Sequence, residues 1–460
     1  MRHLLISSPN DALAAWLARW GSVVPLLGAE LIVWLGFGAL LPVMPLYFTS
    51  HGVPLESLGV VIAAWPAARL VGEPVFGWIA DRVPRVPLMI AGLVLTALAL
   101  GLPLVLTGPV EFLVLRALAG LATSMYDPAA RGFLTDETAP ERRGEAFGLY
   151  GAAQMAGLLL GPAIGGFGAA AFGGVGFVFG FGALSTLVAA LAVGLFVRES
   201  QSALETRMAA SQAVPRRTVV PSVDITEFPA ESPLVHRRAA DHALEDETNV
   251  LTDEAMTLWN RYFLAAVPIN LGAYFAGGTY EVIWSLYLQS KGAGLDFIGF
   301  TFALFALPVL FLSPIAGRLV DRRGVYGFIV GGSLATVLAA PIYTLITDPR
   351  QAIPLLVLEA TGFAVLNPAL FAVVAAGSPR GRSSTSQGIF GAAGTIGTII
   401  ASALTGFLGA IDIRYPFLVG GAVMFACLVI GLVAGGRALQ RLEPSADQVD
   451  PRLTDSGGLL

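Results

Sequence analysis

The chain alternates long apolar runs with short breaks rich in glycine, proline and charge. Twelve runs predict helices over about 23–48, 56–80, 87–107, 110–134, 146–169, 174–197, 262–289, 296–320, 325–347, 351–376, 387–411 and 415–436. Each is long enough to cross a hydrocarbon layer of about 30 Å. One break differs from the others. Residues 198–258 hold six arginines and eleven acidic residues with little periodicity, which predicts a partly disordered linker between two six-helix halves. The expected organisation is an N-terminal segment 1–22, a bundle 23–197, the linker 198–258, a bundle 259–437 and a tail 438–460.

The two halves superpose without a gap at an offset of 240 residues. Leu46-Tyr47 matches Leu286-Tyr287, Gly52 matches Gly292, and Pro74, Gly77, Asp81 and Arg82 match Pro314, Gly317, Asp321 and Arg322. Further on, Pro128, Gly148 and Gly157 match Pro368, Gly388 and Gly397. Apolar helices match by chance on leucine and alanine, not on this many glycines, prolines and charges in one register. The pattern predicts an all-α polytopic membrane protein whose twelve transmembrane helices form two pseudo-symmetric six-helix bundles. Parallel repeats of this kind build transporters that rock one half against the other around a central site.

Composition agrees: 55% of residues are hydrophobic, 13% are charged, and mean hydropathy is +0.73. The net charge of −5 says little about partners, since the linker alone supplies that excess. Of 27 basic residues, only Lys291, Arg350 and Arg414 fall in the breaks on one side; Arg69, Arg116, Arg131 and Arg318 fall within spans, the last two near the ends that face the other side. The positive-inside rule then places both termini in the cytoplasm of a cell whose inner membrane holds the protein. No cleavable leader is expected. A lone Cys427 excludes an intrachain disulfide. No His-Glu-x-x-His, Gly-x-Ser-x-Gly or Cys/His cluster marks an enzyme, a metal site or a cofactor site.

Two near copies, "GWIADRVPR" from Gly77 and "GRLVDRRGV" from Gly317, place an acid and arginines at the same step of each half. Gly77, Asp81, Arg82 and Arg85 resemble the Gly-x3-Asp-Arg-x-Gly-Arg loop of the major facilitator superfamily, with Pro84 replacing the usual glycine. "LGFGALLPVMP" in the first span, Arg116 and Gly120 in the fourth, and "GLYGAAQMAGLLLGPAIGG" in the fifth extend the likeness. The chain thus resembles the twelve-helix drug:proton antiporters of that superfamily, over nearly its whole length outside the linker and tails. The fifth-span match falls on Gly148, Gly157, Gly161, Pro162, Gly165 and Gly166. The repeat reads Ala401, Ser402, Thr405 and Gly406 there, so the Gly-Pro step is missing, an asymmetry like that of exporters.

The resemblance implies roles. Gly77, Asp81, Arg82, Gly317, Asp321 and Arg322 would form a cytoplasmic gate that latches the outward-open state, the alternative being simple topology anchors. Arg85 and Asp127 have Val325 and Asn367 as their repeat counterparts, which leads us to expect an Arg85–Asp127 pair within that gate. Arg116 would modulate a nearby acid.

No histidine lies in a confident span, so carboxylates must carry any proton; the candidates are Glu30, Glu73, Asp127, Glu281 and Glu359. Glu30 shares one helix face with Trp34, Phe37 and Leu41; the equivalent face of the seventh span has Asn270, Tyr274, Gly277 and Glu281. By resemblance these two faces line the cavity, so Trp34, Phe37, Asn270 and Tyr274 are candidate substrate contacts. Glu30 in a structural ion pair, Arg69 simply neutralising Glu73, and Glu359 as a packing residue stay open as alternatives. The implied function is proton-coupled export of small lipophilic, cationic compounds by a monomer in a lipid bilayer. It would use the proton gradient and neither cofactor nor nucleic acid. The alternative is a lipid or glycolipid flippase; a metabolite uptake symporter fits less well.

Overall fold

A computed structural model describes residues 19–139, 142–172, 174–199, 258–379 and 383–442, and nearly the whole predicted linker lies outside these. Twelve helices appear. In the first half they are α1 (Val24–Leu40, continued as Met44–Ser50), α2 (Leu55–Ala80), α3 (Arg85–Gly101), α4 (Pro109–Asp136), α5 (Arg143–Ala171) and α6 (Gly176–Phe196). The second half has α7 (Arg261–Ser290), α8 (Leu295–Arg323), α9 (Tyr326–Tyr343), α10 (Ala352–Ala376), α11 (Ser383–Ile411) and α12 (Tyr415–Arg441). The two parts of α1 meet at 48°, at a break beside Pro42 and Pro45, which cannot donate backbone hydrogen bonds. Several expected boundaries move. Helix α3 ends at Gly101, followed by a short 3-10 turn to Leu104, instead of near 107; α9 ends at Tyr343 instead of near 347; α11 starts at Ser383 instead of 387; and α12 runs on to Arg441, past the expected start of the tail at 438.

Nine helices, and α1 when its parts count together, are long and apolar enough to span a membrane. The remaining two, α4 and α7, have 28 and 30 residues and are the more polar ones. They carry Arg116 and Asp127, and Asn270 and Glu281, on faces turned into the protein.

Repeat symmetry extends to individual bonds. The Tyr47 hydroxyl donates to the Pro103 carbonyl at 2.8 Å, and Tyr287 donates to the Tyr343 carbonyl, each pair offset by 240. Gly157 of α5 sits against the Leu31 carbonyl, and its counterpart Gly397 of α11 against that of Leu271. Lipid tails give apolar side chains no reason to leave them, so such small-residue contacts supply the close packing that holds the helices together.

Each half has two buried clusters. One lies near the arginine-rich loops, around Tyr126 and Phe133 or around Phe263 and Phe390. The other lies at the opposite end, around Phe48 and Phe112 or around Tyr287 and Phe417. At that opposite end the halves exchange residues: Val282 of α7 joins the Phe48 cluster, and Leu46 of α1 joins the Tyr287 cluster.

The halves touch only backbone-close at that same end. A Cβ added to Gly59 of α2 would collide with the Ser402 carbonyl of α11. One added to Gly299 of α8 would stand 2.5 Å from the Pro162 carbonyl and 2.8 Å from Gly166 Cα of α5. At the arginine-rich end a Cβ on Gly148, Gly317 or Gly388 would meet open space. A cleft of about 890 Å³ lies between the halves there, walled by Trp34, Trp65, Glu73, Arg131, Tyr274 and Gln387. The molecule is open toward the arginine-rich side and shut at the other.

Candidate functional site

Three polar centres line or back the space between the halves. The first is built on Glu30. Gly157, Gly161 and Gly165 recur at steps of four along α5 and let its backbone press onto α1 at Leu31, Leu35 and Ala39. Gln154, one step earlier on that face, therefore reaches Glu30 and donates to Oε1 at 2.6 Å. Trp34 Nε1 donates to the same oxygen at 2.9 Å, and the Tyr126 hydroxyl of α4 donates to Oε2 at 2.6 Å. The carboxyl is fully buried and has no ion-pair partner among the described residues. It is no surface of the cleft: Trp34, which lines it, stands between.

The second centre is a chain of four charges. Gly120 lets α4 approach the Trp65 carbonyl of α2, and Gly72 lets α2 approach Ser124 of α4. That proximity brings Arg69 against Asp127, Nη2 to Oδ2 at 2.6 Å, while Arg69 also pairs with Glu73 one turn away. Arg131 stands 3.7 Å from Asp127 and 4.0 Å from Glu73. Arg69 lies over the Trp65 ring at 4.7 Å, and Trp65 continues a row of rings through Phe37 to Trp34.

This overturns the expected Arg85–Asp127 pair. Arg85 instead stands 3.2 Å from Asp136 and 3.7 Å from Asp81. Joint loss in the repeat is met by another partner, since Asp136 is matched by Ala376, although Asp81 keeps its charge as Asp321. Arg69, Glu73, Asp127 and Arg131 are matched by Val309, Ser313, Asn367 and Phe371.

The third centre is a cavity of about 290 Å³ among α5, α7, α8 and α10, lined by Met155, Leu158, Trp284, Phe302 and Phe305 with two acids, Glu281 and Glu359. Glu359 accepts the Tyr280 hydroxyl at 2.8 Å and the Tyr343 hydroxyl at 3.2 Å. Glu281 faces Arg116 of the other half, 3.6 Å away.

The remaining candidates fall as follows. Phe37 borders a small void beside Arg69 and Tyr126, and Tyr274 lines the large cleft. Asn270 is buried and donates to the Phe390 carbonyl of α11 at 2.8 Å, a helix-to-helix tie. A Cβ added to Gly77 would meet only Pro128, in its own half, at 3.9 Å. Arg82 folds back over the Trp78 ring at 3.9 Å and donates to the Trp78 carbonyl. Arg322 is exposed at the end of α8, and the Asp321 side chain lies outside the described residues. These contacts of Arg82, and those above of Arg85 and Asp127, all lie within the first half. Sequence reading passed over Tyr126, Gln154, Trp65, Tyr280 and Tyr343. Gln154 was within reach, since it shares the face of Gly157, Gly161 and Gly165; the tyrosines come from distant helices and gave no local signal.

Two repeats of six helices, open at one end around buried carboxylates, define a membrane transporter of the alternating-access kind. The Major Facilitator Superfamily profile matches residues 26–266 and 266–451, and the chain belongs to that superfamily. It is 26% identical to multidrug resistance protein 2 of Bacillus subtilis over 421 residues, covering 89% of this chain and 94% of that protein. Over 136 residues it is 28% identical to the quinolone resistance protein NorA of Staphylococcus aureus, covering 30% of this chain and 35% of NorA. Among solved structures, a bacterial homologue of the human lysosomal transporter Spinster, inward-facing and unoccupied, matches with a TM-score of 0.67 at 16% identity, covering 93% of this chain and 99% of that one. The peptide transporter POT in complex with sulfate matches with a TM-score of 0.66 at 16% identity, covering 92% of this chain and 95% of that one. These likenesses bear on the fold.

Proposed function

We propose that the protein exports lipophilic cations from the cytoplasm in exchange for protons, as a monomer in the cell membrane with both termini cytoplasmic. The observation that carries this reading is Glu30, a fully buried carboxyl held by three donors and no cation, directly behind the aromatic wall of the cleft. An uncompensated acid inside a membrane is costly and is the natural place for an exchangeable proton. The likeness to a multidrug resistance protein over most of both chains supports export of small drugs.

In the cycle, a cation enters the open cleft and rests among Trp34, Trp65 and Tyr274, where ring faces attract positive charge. Closing the arginine-rich end brings Gly77 and Gly317 toward the opposite half and opens the other end, where the cation leaves. A proton then takes Glu30 and is carried inward on the return. The proton gradient supplies the energy, and no cofactor is needed.

The test is transport of ethidium into everted vesicles, whose outer face is the cytoplasmic one, by Glu30→Gln. Export reduced at least tenfold and insensitive to the gradient supports the reading; wild-type rate and pH dependence would overturn it. The apolar wall formed by Leu158, Phe302 and Phe305 favours one second reading, a lipid flippase. Gradient-dependent lipid movement in vesicles without any response to cations would replace the first reading by the second.

A further inference from the structure

We propose that the cavity among α5, α7, α8 and α10 is a second, deeper cation site, in which the bound cation replaces Arg116 as the counter-ion of Glu281 and so releases the two halves from each other. The proposal rests on the export reading above and adds a site and a trigger to it.

Among the described residues, Arg116–Glu281 is the one ion pair that crosses from the first half to the second. It lies just inward of the outer closure, since the Arg116 guanidinium reaches the Ile62 carbonyl, less than a turn along α2 from Gly59.

The pair is poorly made. Arg116 Nε and Glu281 Oε1 are buried without hydrogen-bond partners, and the Ile62 bond is long at 3.4 Å. Arg69, by contrast, makes hydrogen bonds to two carboxylates. A buried pair kept for stability is expected to be tight and fully bonded, and buried atoms left unsatisfied call for another explanation. A pair that must part in every cycle supplies one.

The cavity supplies the competitor's place. Glu281 lines the cavity and Arg116 does not, so a ligand in the cavity would meet Glu281 where Arg116 does not stand. The second acid, Glu359, is held by tyrosine hydroxyls and has no cation partner among the described residues. Two carboxyls therefore face one guanidinium, which leaves room for one positive charge. Tyr280, Trp284, Phe302 and Phe305 wall the space with rings suited to an organic monocation.

The repeat shows that the fold itself does not need these charges. Arg116 is matched by Leu356 and Glu281 by Leu41, and both leucines line this same cavity. A cation bound to Glu281 has different affinities for the tied and untied states, which is what ligand-driven switching requires.

The test uses the full chain in detergent, with tetraphenylphosphonium as the cation and its isosteric anion, tetraphenylborate, as the control. Outer opening is read by a spin-label distance between Val105→Cys and Leu345→Cys, equivalent exposed positions of the two halves, with Cys427→Ala. The wild type is expected to bind the cation, not the anion, and to lengthen the distance on binding. Glu281→Gln should weaken cation binding at least tenfold and abolish the lengthening. Arg116→Leu should bind the cation more tightly and start from the longer distance, a gain that misfolding cannot imitate. If Glu281→Gln binds and opens like the wild type, or Arg116→Leu binds more weakly, this site is wrong while export against Glu30 stands. If the wild type binds no cation, the export reading falls with it.

Discussion

Tyr126 donates its hydroxyl to Glu30 Oε2 at 2.6 Å, while Trp34 and Gln154 both bond Oε1. Each carboxyl oxygen is thus held from a different side, and Oε2 depends on a helix 96 positions further along. Tyr126→Phe deletes one oxygen and leaves its buried partner unmatched, a loss of about 1–3 kcal/mol in unfolding free energy. Export should fall several-fold with it. An unchanged denaturation midpoint and unchanged export would show that the bond does not matter.

The four-charge chain makes a prediction about coupling. Arg69 and Asp127 are in contact, so a double-mutant cycle of Arg69→Ala and Asp127→Ala should show an interaction of about 0.5–3 kcal/mol in stability. Arg85→Ala combined with Asp127→Ala should be additive within about 0.5 kcal/mol, since Arg85 bonds elsewhere. The reverse result would restore the pairing that the repeat comparison first suggested.

That reversal shows what a sequence can and cannot carry. The spans, most of them to within a few residues, and the twofold repeat were legible because hydropathy and the 240-residue register act over whole helices. Glu30, Arg116, Glu281 and Glu359 stood out because charge inside an apolar run is conspicuous. Which charge meets which was not legible: Asp127 and Asp136 lie on the same helix, and whether Arg69 or Arg85 reaches each depends on how closely α2 approaches α4 at Gly72 and Gly120, and α3 approaches it at Gly92. The tie that Asn270 makes to the Phe390 carbonyl of α11 was not legible either, since it joins helices far apart in the chain.

The outer closure relies on backbone contact between glycines. Gly299→Val places side-chain carbons where the Pro162 carbonyl and Gly166 Cα already stand, an overpacking cost of about 1–3 kcal/mol that the shut state alone bears. The variant should therefore favour the outward-open form, seen as faster labelling of a cysteine placed in the outer part of the cavity, and should export more slowly. Labelling at the wild-type rate would contradict the assignment of this end as the closed gate.

One titrating pair serves as a control. Hydrogen bonds from the Arg414 side chain and backbone hold the Asp412 carboxyl down to about 2 from its ordinary 3.8. With a lowered pKa in the folded state, any stability it adds is present above the ordinary value and is lost only as pH falls through about 2. Asp412→Asn should leave the pH profile of export between about pH 5 and pH 8 unchanged. A shifted profile would place a coupling group in this connection between α11 and α12.

Proton movement in proteoliposomes tests the central claim most directly. With the cytoplasmic face outward, an acid lumen and a pH-sensitive dye inside, tetraphenylphosphonium added outside should trigger a proton flux out of the lumen, opposite to its own. Glu30→Gln should show none, while Asp412→Asn responds like the wild type. A cation-triggered flux that persists in Glu30→Gln, or cation movement with no proton flux at all, would contradict the account.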